Sequence, residues 1–455
     1  MTTQPPSPTG QPAASGPDPS VVATLAEWQS TVLQGVSLSA DDRKSLAELG
    51  GLREGRHLEI EELKAGLRIR STSWVGVVRF QNLEIRVIPK LAGDNLGLVR
   101  MLEYASGLAN LWRPKATSGL DLRGRHLLDV VALLFAGAVE ELTRKGLVAG
   151  YREREEPLPR VRGRILADQQ LLRRVGQSDR VICRFDELEQ DVDENRFVLA
   201  ALRVALRQVS TPEVRSRLGR LRAVFESICD PKELDLGLAR RLVYDRLNSH
   251  YKTAHALAWL ILDGFGVDDL FTGGSTRAFA FLFDMNLLFE RFVRRLVADL
   301  LPPPDHRVDY QRVHSSILWD VIGKRPYARV IPDLVVSLGH SRAQLPIDAK
   351  YKLYDEKPLS TGDIYRSFLY AYSIGRGQAL LVYPQSPRRS DPIHLRVQGG
   401  VTAGAGAEIR AVGVAIPRLL DELLGPAPRP SCEALRELIV ENLVNTSSAA
   451  AAASA

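Results

Sequence analysis

Cysteine is scarce: only Cys183, Cys229 and Cys432 occur in 455 residues. They lie far apart without paired spacing, which excludes a zinc ribbon and argues against a disulfide framework. The eight histidines are dispersed, with no pair spaced to grip a metal, and read as structural or surface residues. Long apolar runs are also missing. The longest, Val130 to Val139, is too short to cross a bilayer and sits within an amphipathic pattern, so it reads as a buried helix and no membrane span is expected. No Gly-x-x-x-x-Gly-Lys-Ser/Thr sequence occurs, and Gly273-Gly274-Ser275-Thr276 lacks the lysine that a phosphate-binding loop needs, so the chain is not expected to hydrolyse nucleotides by itself. Met1 to Asp18 has neither the basic start nor the apolar centre of a secretory signal, and its Pro, Ser, Thr and Gly content predicts a disordered tail on a cytoplasmic protein. A strong charge bias is absent as well. Sixty basic against 54 acidic residues leave a net +6, compatible with nucleic acid but not diagnostic of it.

What is present suffices for two or three domains, since 45% of the residues are hydrophobic and 25% charged. Leu67-Arg68-Ile69-Arg70 and Leu83-Glu84-Ile85-Arg86-Val87 alternate apolar with polar residues and predict strands in a β-rich module. From Leu96 the period becomes helical. Val130, Leu133, Leu134 and Leu142 share one face, with Gly146 suited to end that helix, and further helices are expected at Glu194–Gln208, Glu213–Ile228 and Arg246–Leu262. Gly273 to Thr276 reads as a linker with a helix cap. The expected layout is a tail (1–20), an N-terminal β-rich module (21–120), a mainly helical middle (121–272), a third domain (273–445) and a disordered Ser/Ala tail (446–455).

In that third domain a helix is expected from Arg277 to Leu301, with Leu282, Met285, Phe289, Phe292 and Leu296 on one side and Pro302-Pro303-Pro304 as its stop. Strands are expected over Tyr327–Leu338 and Leu345–Leu353, joined by a turn at Gly339-His340-Ser341-Arg342, then a helix over Asp363–Ile374 and a strand over Ala379–Tyr383. This order describes a mixed sheet with helices on its faces. Asp333 falls in the first strand of the hairpin, Asp348 and Lys350 in the second. Residues two apart on a strand share a face, so Asp348 and Lys350 project together, away from Ile347, Ala349 and Tyr351. Two carboxylates from adjacent strands suit Mg²⁺, which prefers oxygen ligands, and a neighbouring lysine can orient water or offset charge on a phosphate. A solvated surface pair is the alternative, but both groups lie in otherwise apolar strands, and Pro332 is unusual in a strand unless an edge or a site requires it.

Pro332-Asp333 followed by Asp348-Ala349-Lys350 resembles the signature of PD-(D/E)xK nucleases, and Asp348-Ala349-Lys350-Tyr351-Lys352 is similar to the McrC family in particular. Ile88-Pro89-Lys90, Met101-Leu102-Glu103-Tyr104, Arg162-Gly163-Arg164, Asp191 with Asn195-Arg196, a helix like Phe281 to Glu290, the segment from Asp363 to Tyr370 and the strand Leu380 to Pro384 extend the resemblance over roughly Leu67 to Pro384. It implies an α+β multidomain fold, an N-terminal β-rich and helical partner-docking region followed by a restriction-endonuclease-like αβββαβ domain. It also implies a Mg²⁺-dependent endonuclease that cleaves modified double-stranded DNA with a separate McrB-like, GTP-hydrolysing AAA+ partner. Asp333 and Asp348 are then the metal ligands and Lys350 the catalytic lysine. Glu290 is either the helix acid that reaches the metal or half of a surface ion pair with Arg294. Tyr370 is either an aromatic of the site or core packing. Arg366 stands where the family commonly has Gln, one turn from Tyr370, and the pair has the spacing to meet DNA phosphate. Two other readings remain: an adaptor that only activates the partner, and a stand-alone RecB-like exonuclease.

Overall fold

The computed structural model describes residues 21–51, 58–106, 127–173, 179–229, 242–264, 279–339, 343–385, 392–397, 406–426 and 428–452. The N-terminal portion is built by alternation. Strands β1 (Val21–Ala26), β2 (Ser30–Gln34), β3 (Leu58–Leu63), β4 (Gly66–Ser71), β5 (Trp74–Arg79) and β6 (Leu83–Ile88), with helix α1 (Ala40–Gly51) after β2, form two sheets. β4 lies between β2 and β3 and is antiparallel to both, while β6 lies between a parallel β1 and an antiparallel β5. Leu67 and Ile69 meet Leu83, Ile85 and Val87 in one apolar cluster. Arg68 and Arg70 turn outward to Glu61 and Glu59.

The middle of the chain contains α2 (Asn95–Ala105), α3 (Leu127–Lys145), β7 (Gly150–Leu158), β8 (Arg164–Ile165), α4 (Ala167–Arg173), β9 (Val181–Glu189), α5 (Asp193–Gln208), α6 (Pro212–Ile228), a 3-10 turn at Ser249–Tyr251 and α7 (Lys252–Gly264). Val130, Leu133, Leu134 and Leu142 are all buried, and Gly146 ends α3 at φ +97, a conformation that favours glycine. Arg246 lies ahead of the helix expected to begin there. The three-stranded sheet β7-β9-β8 had no hydrophobic signature because charged residues dominate it. Arg154 with Glu189 and Arg184 with Glu155 join its strands, and cross-strand ion pairs stand in for apolar alternation.

The C-terminal portion runs β10 (Phe279–Asp284), α8 (Met285–Leu300), β11 (His306–Tyr310), β12 (His314–Asp320), β13 (Arg325–Val330), β14 (Leu334–Leu338), β15 (Gln344–Ala349), α9 (Thr361–Ser373), β16 (Gln378–Pro384), β17 (Ile393–Arg396), β18 (Glu408–Val414), α10 (Ile416–Leu424) and α11 (Pro430–Ala452). A six-stranded mixed sheet has the order β11-β14-β15-β16-β18-β17. β15, β16 and β18 are mutually parallel, and the others are antiparallel to their neighbours. β16 packs against α9 and α11, and all but the first of its residues are buried, so it reads as a near-continuous apolar run. The expected α+β order α8-β11-β14-β15-α9-β16 is present, with the β12–β13 hairpin inserted into it.

Four further expectations need correction. The helix expected from Arg277 begins at Met285, and Phe279–Asp284 is a strand antiparallel to β5. A short apolar run fits either period, and here the edge of β5 and the Asp284 cap, which accepts from the backbone of Asn286 at 2.9 Å, decide between them. The strand expected over Tyr327–Leu338 breaks at Ile331–Asp333, because Pro332 has no N–H to give to a ladder. The strand expected to reach Leu353 ends at Ala349. The Ser/Ala stretch after Thr446 continues α11 to Ala452, in keeping with the high helix propensity of alanine. Residues 1–20, Gly273–Thr276 and His340–Arg342 lie outside the described residues.

One apolar cluster runs from Val75 on β5 through Leu134 on α3 and Phe197 on α5 to Phe289 and Phe292 on α8, and on to Ile347 and Val382 in the six-stranded sheet. Each large side chain buried there contributes roughly 1.5–3 kcal/mol. β15 is thereby anchored in a core shared with the N-terminal half. Among the described residues, no helix is long and apolar enough to cross a membrane.

Candidate active site

The break between β13 and β14 sets the site. With Pro332 buried and unable to pair, the chain turns so that Asp333 precedes β14, and its Oδ2 accepts the backbone N–H of Ala349 at 2.8 Å. Asp348, next to last in β15, is 2% exposed, while Ile347, Ala349 and Tyr351 face the shared core. Just past the end of the strand, the backbone N–H of Lys350 donates 2.8 Å to Val382 and extends the parallel ladder. The Lys350 ammonium then lies 2.7 Å from Oδ2 of Asp348 and 3.6 Å from Oδ2 of Asp333. The structure therefore brings Asp333, Asp348 and Lys350 together. The Lys350–Asp348 contact is an ion pair not aligned as a hydrogen bond, so Oδ2 of Asp348 is buried without a hydrogen-bond donor.

Burial, and then the adjacent charge of Asp348, push the Asp333 carboxyl up to about 7, with Lys350 opposing. Pressed against the charge of Asp348 in a poorly solvated site, Asp333 holds its proton more readily unless a cation offsets that charge. This pair is an oxygen-only donor set of the kind hard divalent ions use.

Glu290 is set apart from this pair. Its Oε1 accepts from the hydroxyl of Tyr310 at 2.8 Å and from the side-chain amide of Gln311 at 2.9 Å. Arg294 places its guanidinium 4.0 Å over the ring of Tyr310. Gln311 also donates its backbone N–H 3.0 Å to the carbonyl of Asp333, so it ties Glu290 to the site at one remove. Among the described residues, no group of three His, Cys, Asp or Glu side chains is disposed to hold a metal ion.

Tyr370 is buried beside Val330, Val335 and Ile374, and its hydroxyl donates 3.0 Å to the carbonyl of Ile331, two residues before Asp333. Burial, then the charge of Asp348, raise that hydroxyl far above its ordinary range. Packing and positioning thus coincide in Tyr370, which holds the segment that carries Asp333. Arg366 is exposed on α9 one turn earlier.

The sequence profile of the family described as McrBC 5-methylcytosine restriction system component matches residues 69–384. The chain belongs to that family. In this McrBC family member the matched stretch includes Asp333, Asp348 and Lys350 and ends with β16. Among solved structures it is similar to a chain from a Thermococcus gammatolerans assembly of McrB AAA+ hexamers with bound McrC. Identity is 20%, covering 92% of this chain and 99% of that one, with a TM-score of 0.66. A chain of the Thermococcus gammatolerans McrBC complex is 22% identical, covering 62% of this chain and 89% of that one, with a TM-score of 0.46. At such identities the likeness is one of fold. No curated protein gives a significant match.

Sequence reasoning missed Gln311, which sits at φ +44, a costly backbone state for a residue with a Cβ, worth about 1–3 kcal/mol. Nothing local marks it, since its partners are on α8 and before β14. It also missed the network at Asp363, which accepts from Lys352 and Ser360 at 2.6 Å each and from Tyr354. These bonds outweigh burial and hold the Asp363 carboxyl at about 2. The Ser360-x-x-Asp363 cap at the start of α9 was the available signal.

Proposed function

We propose that this chain is the DNA-cleaving component of a modification-dependent restriction system, a Mg²⁺-dependent endonuclease that works with an McrB-like, GTP-hydrolysing AAA+ partner. The supporting observation is the placement of Asp333, Asp348 and Lys350 in one poorly solvated cluster at the end of β15. The donor set fits a hard cation, because two carboxylates face each other and Asp348 keeps a buried oxygen with no hydrogen-bond donor. When bound, Mg²⁺ supplies a water of lowered pKa and neutralises phosphate charge. Asp333 and Asp348 are the ligands, and Asp333 must give up the proton that burial favours, so loading tightens as pH rises. Lys350 orients the attacking water and offsets charge growing on the phosphate. Glu290 is the outer acid, joined to Asp333 through Gln311, and Tyr370 keeps the Asp333 segment in place.

The Thermococcus assembly contains McrC bound to McrB AAA+ hexamers, and its matched chain aligns with most of this one. In the same reading, the region before 273 docks on such a ring, residues 273–445 form the nuclease domain, and double-stranded DNA is the substrate.

A plasmid cleavage assay at fixed salt, with Mg²⁺, the AAA+ partner, GTP and DNA methylation omitted in turn, tests the whole reading. Cleavage is expected only when all are present. Robust cutting of unmodified DNA by the chain alone favours a stand-alone nuclease, and stimulation of the partner GTPase with no cutting favours an adaptor. Calorimetric titration with Mg²⁺ separates the roles: Asp348→Ala abolishes binding, while Lys350→Ala keeps binding and loses turnover.

A further inference from the structure

The β12–β13 hairpin is not needed to complete the six-stranded sheet, and among the described residues it pairs only with itself. Its base rests on α9, where Val330 packs with Tyr370 and Ile374, and Ile317 and Leu318 lie against that cluster. The tip projects. Val321 and Ile322 are 80% and 96% exposed, and the rings of Trp319 and Tyr327 are also open to solvent. Contiguous apolar surface left in water marks a contact surface more often than chance.

The charge around this tip is mostly positive. From His314 to Val330 the hairpin carries Lys324, Arg325 and Arg329 against a single carboxylate, Asp320. Asp320 is engaged within the turn, where it accepts the backbone N–H groups of Ile322 and Gly323 at 3.1 and 2.9 Å. Arg325 lies 3.8 Å from it, with its side chain 78% exposed. Cations beside apolar and aromatic groups match a polyanion with stacked, partly apolar bases inside it. The element type fits as well, since a two-stranded ribbon is among those a DNA major groove admits.

The base of the hairpin also runs directly into the site. β13 ends at Val330, Tyr370 holds the carbonyl of Ile331, and Asp333 follows. A contact made by the hairpin therefore bears on the segment that carries Asp333. We propose that the β12–β13 hairpin is a duplex-DNA contact, with Val321 and Ile322 against base edges and Lys324, Arg325 and Arg329 on flanking phosphates, placing a phosphodiester at Asp333 and Asp348. This rests on the nuclease reading above.

The test is fluorescence anisotropy of the full chain with a labelled duplex of about 20 base pairs, without divalent metal, over a series of salt concentrations. The paired variant Lys324→Ala/Arg325→Ala is expected to bind at least 10-fold more weakly, with the slope of log affinity against log salt reduced by about 2. The variant Val321→Ser/Ile322→Ser is expected to lose about 5-fold with the slope unchanged. Both keep the wild-type thermal unfolding midpoint, because these side chains are in water. Wild-type affinity and slope in both variants, or no duplex binding by the wild-type chain, overturn the proposal. Binding through the hairpin by a chain that never cleaves upholds it while removing the nuclease reading. Cleavage that needs Asp348 but ignores the hairpin does the reverse.

Discussion

The hydroxyl of Tyr351 donates a 3.0 Å hydrogen bond to Glu27, which joins the residue after Lys350 to the turn between β1 and β2. Glu27 is 1% exposed, and the same oxygen accepts the backbone N–H of Lys90 at 2.7 Å. Trp28, at φ +56 in the same turn, sets its ring 5.4 Å from that of Tyr351. An N-terminal acid thus holds the far side of the segment whose near side carries Lys350.

Burial raises the Glu27 carboxyl from 4.5 to about 7, against the bonds from Lys90 and Tyr351 and the nearby Lys90 charge. A group with a raised folded pKa stabilises the fold below its unfolded value, and that contribution fades as pH climbs towards the folded value. Glu27 therefore withdraws about 3 kcal/mol between pH 4.5 and 7. Glu27→Gln keeps an acceptor oxygen but no titration, so it should gain on the wild type in urea unfolding at pH 8 relative to pH 5. An equal difference at both pH values would show that Glu27 does not titrate here.

Asp348→Asn removes the charge that disfavours ionisation of Asp333. The expected result is an unfolding midpoint no lower than wild type at pH 8, together with a loss of cleavage of at least about 100-fold. Plasmid nicking and a thermal melt on the same preparation decide it. An earlier melt with cleavage retained overturns both halves.

Tyr370→Phe deletes the bond to Ile331 but keeps the ring in its pocket, at a cost of about 1 kcal/mol. Since the tether fixes the Asp333 segment and not the DNA, single-turnover cleavage should slow several-fold with unchanged DNA affinity. Weaker DNA binding at an unaltered cleavage rate would assign Tyr370 to substrate contact instead.

Gly76 pairs with Leu282 at φ +143, and a Cβ there would lie 1.9 Å from the carbonyl oxygen of Phe281. Gly76→Ala should destabilise the chain by about 2–4 kcal/mol by forcing β10 away from β5. Hydrogen exchange should speed up at Phe279–Asp284 before it does in β15. Wild-type exchange in β10 would contradict the pairing.

The sequence by itself determined the features that depend on neighbours along the chain. The alternation of β4 and β6, the apolar face of α3 and its stop at Gly146, and the projection of Asp348 and Lys350 to one side all follow from local period and backbone geometry. Tertiary structure decided what depends on distant partners. Phe279–Asp284 is a strand because β5, some two hundred residues earlier, offers an open edge. The β7–β9 ladder rests on charges that pair only once both strands are present. Glu290 turns to Tyr310 and Gln311 because β11 ends beside α8, and Tyr351 finds Glu27 because one apolar core joins the two halves of the chain. Period and propensity are properties of a window of residues, whereas a hydrogen bond or a shared core belongs to groups that only the folded chain brings together.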